Sequence, residues 1–352
     1  MTKIRFVPQF LRSLFACAAL LVCAMPALSQ GVYDDSWTFS VHFENDLFAD
    51  TDQNYTNGIK LSWVSPDLTR FRDSDRLPDW SHRYVEMLPF INDPDRERNI
   101  VLSVGQSMFT PQDTRRRDLI RTDRPYAGWL YLGAAFHSKK PTLLDTMEVQ
   151  FGVVGPLSFA EQAQTLVHEL RSLDKPRGWD HQLENEPGIN FVYERKWRRS
   201  FLGSDRGLGA DFIGHMGGAL GNVYTYGNAG FELRAGWNLP KDFGSSPIRP
   251  GGDTNDPIHK RDPRRSRDAS FGLHFFVYAD GRGVLRDIFL DGNTIADSHS
   301  VDKRHFVADL AAGAAMTYDR FKLSFAKVIR SREFDGQPSD HRFGSITLSY
   351  TF

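Results

Sequence analysis

Apolar and polar residues alternate strictly over stretches of about ten positions from one end of the chain to the other. Trp37, Phe39, Val41 and Phe43 alternate with Thr38, Ser40 and His42. Met147, Val149, Phe151 and Val153 share one parity, and so do Ile189, Phe191, Tyr193 and Trp197. Phe231, Leu233, Ala235 and Trp237 repeat the pattern, as do Ile346, Leu348, Tyr350 and Phe352. Period-two runs of this length are the signature of strands in a closed transmembrane barrel, with one face on lipid and one on the lumen. Twelve such strands are predicted, near 36–44, 57–65, 99–108, 127–138, 145–154, 188–199, 208–220, 226–238, 269–280, 304–317, 320–332 and 341–352. Twelve is even, as single-chain bacterial barrels require. The expected fold is therefore all-β, a twelve-stranded antiparallel transmembrane β-barrel. A soluble sandwich would also alternate, but with shorter strands and without aromatics gathered near strand ends.

The first residues read differently. Lys3, Arg5 and Arg12 precede an apolar run from Leu14 to Met25, and Ala27-Leu28-Ser29 supplies small residues. This is the layout of an export signal, with cleavage expected after Ser29, and the run is short for a spanning helix. Residues 1–29 are thus expected to be a signal peptide and 30–352 the barrel. Both cysteines, Cys17 and Cys23, fall inside that leader. The remainder offers no disulfide and no thiolate nucleophile. It also has no run of ~20 apolar residues that could cross a membrane as a helix. The terminal aromatic, Phe352, resembles the signal read by the outer-membrane assembly machinery.

If the N-terminus starts on the periplasmic side, the connections after the first, third and every second later strand face outward. Most inner connections are short. Two are not, 66–98 and 239–268, and the second is rich in Pro, Gly and Asp, which predicts a flexible linker. One helix is predicted over 158–173. Ser158 and Glu161 match a capping box at its start, and Pro176 and Gly178 follow its end.

Three of the outward connections carry unusual polar residues. The first has Glu44-Asn45-Asp46 after one strand and Tyr55-Thr56-Asn57-Gly58 before the next, with Asp50 and Asp52 between. These are hard oxygen donors of the kind calcium takes, without the spacing of an EF-hand; an ordinary Asx-rich turn has the same composition. The second has Arg115, Arg116 and Arg117, then Arg121 and Arg124. Arginine forks bind phosphate, and the polyanion outside an outer membrane is lipopolysaccharide. A formal net charge of −1 gives no global field for nucleic acid. The third holds the predicted helix, where Gln164 and His168 share a face at i and i+4, followed by Asp174, Trp179 and Asn185. A histidine with a carboxylate partner is a general-base arrangement, although a lone helical histidine is more often surface decoration. No GxSxG elbow and no HExxH helix occurs.

Taken in order, Phe43-Glu44-Asn45-Asp46, Tyr55-Thr56-Asn57-Gly58, Asp123-Arg124-Pro125-Tyr126-Ala127-Gly128, Gly152-Val153-Val154-Gly155-Pro156 and His168 through Trp179 to Gln182-Leu183-Glu184-Asn185 resemble the outer-membrane lipid A 3′-O-deacylase family, the LpxR type. The resemblance implies a twelve-stranded barrel in the outer membrane, with its site facing outward. It also implies calcium-dependent hydrolysis of the 3′-linked acyloxyacyl ester of lipid A. The family's Asn-Asp pair falls on Asn45 and Asp46, the latter a Ca²⁺ ligand, and its residue before the second strand falls on Thr56. Its helical Gln and His fall on Gln164 and His168, and its acidic position six residues on falls on Asp174. Arg115, Arg116 and Arg117 are candidates for the lipid A head group. An outer-membrane phospholipase and a passive porin share the barrel and stand as the alternatives.

Overall fold

Each period-two run pairs with its neighbour in sequence, and the last returns to the first. The computed structural model describes residues 36–46, 54–68, 93, 95–172, 174–203, 206–245, 247–258, 262–265 and 270–352. The expected signal peptide, Asp50, Asp52 and most of the 66–98 linker lie outside these. The strands are β1 Thr38–Asn45, β2 Asn54–Val64, β3 Glu97–Thr110, β4 Ala127–Lys140, β5 Leu143–Val154, β6 Glu186–Gly203, β7 Leu208–Gly221, β8 Tyr224–Trp237, β9 Phe271–Asp287, β10 Phe306–Tyr318, β11 Phe321–Arg330 and β12 His341–Thr351. They form a closed antiparallel barrel of the expected twelve strands. At the seam, Trp37 and Phe352 exchange backbone hydrogen bonds of 2.8 and 2.9 Å. Beside it Ser40 and Ser349 hydroxyls meet at 2.8 Å.

Side-chain parity separates two environments. On β9, His274, Phe276, Tyr278 and Asp280 are buried inside, whereas Phe271, Leu273, Phe275 and Val277 are exposed outside. One hydrogen-bonded row of outward aromatics runs across six strands near the chain termini: Phe271 opposite Tyr318, then Phe321, Tyr350, Phe39 and Trp63. A girdle of aromatic rings, with Tyr318, Tyr350 and Trp63 amphipathic among them, suits the membrane–water boundary. No helix among the described residues is long and apolar enough to cross a membrane.

The lumen is filled. The connection after β8, expected to be flexible, turns back into the barrel instead, and its acids meet cations on the inner wall. Asp242 accepts from Arg234 (2.5 Å), Lys322 (2.7 Å) and Arg264 (3.0 Å). Asp253 pairs with Lys60 at 2.6 Å and Asp256 with Lys139. The backbone N–H groups of Ile248 and Gly251 donate to Glu44 (2.7 Å) and Glu148 (2.6 Å). Buried cations on the wall need counter-charges, and this strap supplies them. Its Pro, Gly and Asp content lets it fold back rather than leaving it loose. At the opposite end, a helical turn over Ile288–Asp291 is capped by Asp287, whose carboxylate accepts from Phe289 N at 3.0 Å. Phe289 lies buried against Phe109, with ring centroids 4.1 Å apart.

The predicted helix is shorter than expected. It spans Ala160–Arg171 (α1) and follows a 3₁₀ turn over Pro156–Ser158. The capping box does not form. The N-cap is Phe159, in the left-handed region at φ 58°, with no side-chain cap. Gly155 at φ 97° already turns the chain, which leaves Ser158 buried under the helix start rather than at its tip.

Candidate active site

On β1, parity sends Ser40, His42 and Glu44 inward, so Asn45 falls on the outer face with Phe43. Asn45 is paired with Asn57, Asn57 with Met108, and Met108 with Gly128. Directly paired residues share a face, and adjacent strands lie ~4.8 Å apart, so this row runs about 14 Å along the outside of the wall. Thr56 is the residue skipped by a bulge between Tyr55 and Asn57; such bulges re-aim side chains beside functional sites. Its own side chain lies outside the described residues.

Helix α1 docks on the far end of that row. A Cβ on Gly128 would lie 2.0 Å from Ser158 Oγ and 2.3 Å from the Ala160 Cβ. Met108, Tyr126, Ala160 and Trp179 form a buried cluster around it. Glycine is thus required for close approach of the helix to the strand. Ala160, Gln164 and His168 recur every fourth residue and face the wall, with Gln164 2% and His168 4% exposed. The helix therefore lies against the outside of the barrel, and its polar face is enclosed between helix and wall.

Each of those polar groups is fixed. Trp179, tilted on Tyr126 with centroids 4.9 Å apart, donates from Nε1 to Gln164 Oε1 at 2.8 Å. That contact sets the amide orientation, and Gln164 Nε2 has no hydrogen-bond partner among the described residues. His168 Nδ1 lies 2.6 Å from the backbone oxygen of Asp174. A carbonyl only accepts, so Nδ1 carries the proton and a neutral ring has its lone pair on Nε2. The Asp174 carboxylate, expected to orient the ring, does not do so. Its side chain is 85% exposed and lies 3.9 Å from Arg115. The residue orients His168 through its main chain.

A model of the family described as Outer membrane protein LpxR matches residues 14–352. The chain belongs to the LpxR family. Its fold resembles the solved structure of LpxR from Salmonella typhimurium at a TM-score of 0.68 and 18% identity, covering 90% of this chain and 100% of that one. The beta domain of the Bordetella autotransporter BrkA follows at a TM-score of 0.40 and 10% identity, covering 90% and 99%. No curated protein matches the sequence. Family membership and barrel architecture together place the protein in the outer membrane.

The remaining residues singled out in this LpxR-family chain divide into two groups. Arg115 and Arg117 are exposed on the rim, where Arg117 meets Asp180 at 3.4 Å; Arg116 is exposed as well. Arg124 instead turns inward. It pairs with Glu333 at 3.2 Å and lies over the rings of Phe109 and Phe334 at 5.4 and 5.7 Å. Burial opposes ionisation of Glu333, but Arg124 and Arg330 outweigh it and hold the carboxyl below its usual range. This brace between two loops is not evident from sequence, where Arg124 reads as one more rim arginine. Asn185 accepts from Leu157 N at 2.8 Å and so ties the start of the helical segment to its end.

Among the described residues no group of three or more His, Cys, Asp or Glu side chains gathers as a metal site. Asp46, fully buried at the end of β1, and the adjacent Asn45 are nonetheless hard oxygen donors of the class that holds Ca²⁺.

Proposed function

We propose that this protein is a lipid A deacylase that hydrolyses the 3′-linked acyloxyacyl ester in the outer leaflet. The observation that carries this reading is His168: buried between α1 and the outer wall, with Nδ1 committed to a carbonyl, it is oriented as a general base. An ester reaching such a cleft arrives sideways from the membrane. The site residues are then His168, Gln164, Asn45, Asp46 and Thr56, with Asp174 acting through its carbonyl.

His168 Nε2 takes a proton from water as the water oxygen attacks the ester carbonyl carbon. The imidazolium returns that proton to the departing 3′-oxygen as the C–O bond breaks, leaving a free acid and the deacylated sugar. The Gln164 amide N–H and Asn45 are positioned as donors to polar atoms of the substrate. Ca²⁺ would be held by Asp46 with neighbouring oxygens, and when bound it supplies positive charge for the carbonyl oxygen. Arg115, Arg116 and Arg117 would meet the phosphates of lipopolysaccharide at the rim, with the site facing outward. Phe352, on the closing strand pair, would serve recognition by the assembly machinery.

The filled lumen speaks against a porin, and the lack of a serine elbow speaks against a serine-type outer-membrane phospholipase. The test is mass spectrometry of lipid A from cells with and without the protein. We expect loss of one acyloxyacyl mass, dependent on Ca²⁺ and abolished in His168→Ala, whose barrel keeps its heat-modifiable migration. Undiminished activity in that variant would remove His168 as the base, and insensitivity to EDTA would remove the metal.

A further inference from the structure

On the side of α1 that faces away from the wall, and just before its start, large apolar side chains stand exposed beside Glu161, Gln162 and Glu169. Leu157, Phe159 and Leu166 are 55%, 55% and 57% exposed. Phe159 and Leu166 stand seven residues apart, two turns along one face. Phe159 also holds the left-handed conformation, which is strained for a bulky residue, with its ring turned outward rather than into the protein.

The patch continues the lipid-facing surface of the barrel. Helix α1 begins over Gly128, on the same outer face as Leu132, and Leu132 is exposed. Leu157 is tied to Asn185, two residues before Pro187, which pairs with Val153; the next outward pair is Phe151 with Ile189, both exposed. The apolar side chains at the helix start thus adjoin the exposed apolar face of the wall, which is the face an outer-membrane barrel turns to lipid.

We propose that Leu157, Phe159 and Leu166 dip into the hydrocarbon edge of the surrounding leaflet, while Glu161, Gln162 and Glu169 stay at its polar surface. The helix carrying Gln164 and His168 is then clamped between barrel wall and lipid, in the manner of an interfacial amphipathic helix. This inference rests on the outer-membrane barrel and not on the deacylation chemistry, so it stands or falls separately.

The test uses the full-length protein with C17S and C23S, carrying one nitroxide at Leu157→Cys or Leu166→Cys. Leu132→Cys serves as the wall reference and Asp180→Cys as the rim reference. Only heat-modifiable, folded protein is reconstituted, into vesicles of phosphatidylethanolamine and phosphatidylglycerol. Electron paramagnetic resonance then compares collision with oxygen, which enters hydrocarbon, against a water-soluble nickel chelate. The labels at 157 and 166 are expected to favour oxygen as the 132 label does. Labels at 157 and 166 that match position 180 would overturn the proposal.

Discussion

Replacing Gly128 with alanine adds a single methyl group where the helix meets the wall. The new Cβ would lie 2.0 Å from Ser158 Oγ and 2.3 Å from the Ala160 Cβ, against a lower edge of 3.4 Å for ordinary contact. The first gap is short by about 1.4 Å and the second by about 1.1 Å. Neither neighbour can swing away, since Ser158 is buried in a 3₁₀ turn and the Ala160 Cβ is fixed to the helix backbone. The helix start must therefore lift from β4 by roughly an ångström. Overpacking of this kind costs about 1–3 kcal/mol, too little to open a twelve-stranded ladder. Misplacement of a catalytic group by ~1 Å can cost about 100-fold in rate. The assay is the initial rate of lipid A deacylation by mass spectrometry, with heat-modifiable migration as the check on the barrel. We expect a rate loss of about two orders of magnitude with migration unchanged. Adding Ser158→Ala should restore only part of it, because the clash with Ala160 remains. A Gly128→Ala variant with wild-type turnover would refute the argument that helix-to-wall contact sets the site.

Three further outcomes follow from the same contacts. Asp174→Ala keeps the carbonyl that holds His168 and loses only an exposed ion pair worth ~0–1 kcal/mol; its deacylation rate is expected to stay near wild type, and a large loss would reinstate the carboxylate. Arg124→Ala removes one of the two arginines on the buried Glu333, and unfolding in detergent should show a loss below the ~3–5 kcal/mol of a fully unpaired charge, because Arg330 remains at 3.5 Å. For the lumen strap, burial raises the Asp242 and Asp253 pKa values, but Lys322, Arg234 and Arg264 around the first and Lys60 and His42 around the second outweigh it and hold both well below 3.8. Groups with depressed folded pKa values stabilise above their unfolded pKa and lose that contribution as pH falls through the folded value. Protease cleavage within 239–258 should therefore be absent at pH 5 and emerge only in strong acid; release at pH 5 would contradict the pairing.

The barrel was legible because each strand answers to two environments at once. On β9, His274 and Asp280 could face only a lumen, and Phe271 and Phe275 only lipid, so periodicity alone specified the wall. The strap was not legible from its own composition, since Pro, Gly and Asp read equally well as a loose loop. The missing signal lay on the strands: parity points Lys60, Lys139, Arg234 and Lys322 inward, and four buried cations call for acids from somewhere. The helix start misled for a different reason. Ser158 and Glu161 have capping-box spacing, but the conformation at Gly155 and Phe159 depends on docking against Gly128, which lies outside the local window. For Asp174, residue identity pointed to a carboxylate, whereas the contact is made by the main chain, which every residue carries.

The pairing row from Asn45 to Gly128 also divides the proposed site into two parts with different folding requirements. Asn45 and Asp46 need only β1 in register with β2 and β12. Gln164 and His168 need α1 docked as well, through Met108, Tyr126 and Trp179. The wall half is thus secured by barrel closure, whereas the helix half depends on one small cluster and one glycine. Damage to that cluster should leave a fully closed but inactive barrel, while damage to the seam should remove both. Activity and heat-modifiable migration therefore report on separate events, and a variant that lost migration but kept deacylation would show that the two halves do not meet on the outer wall.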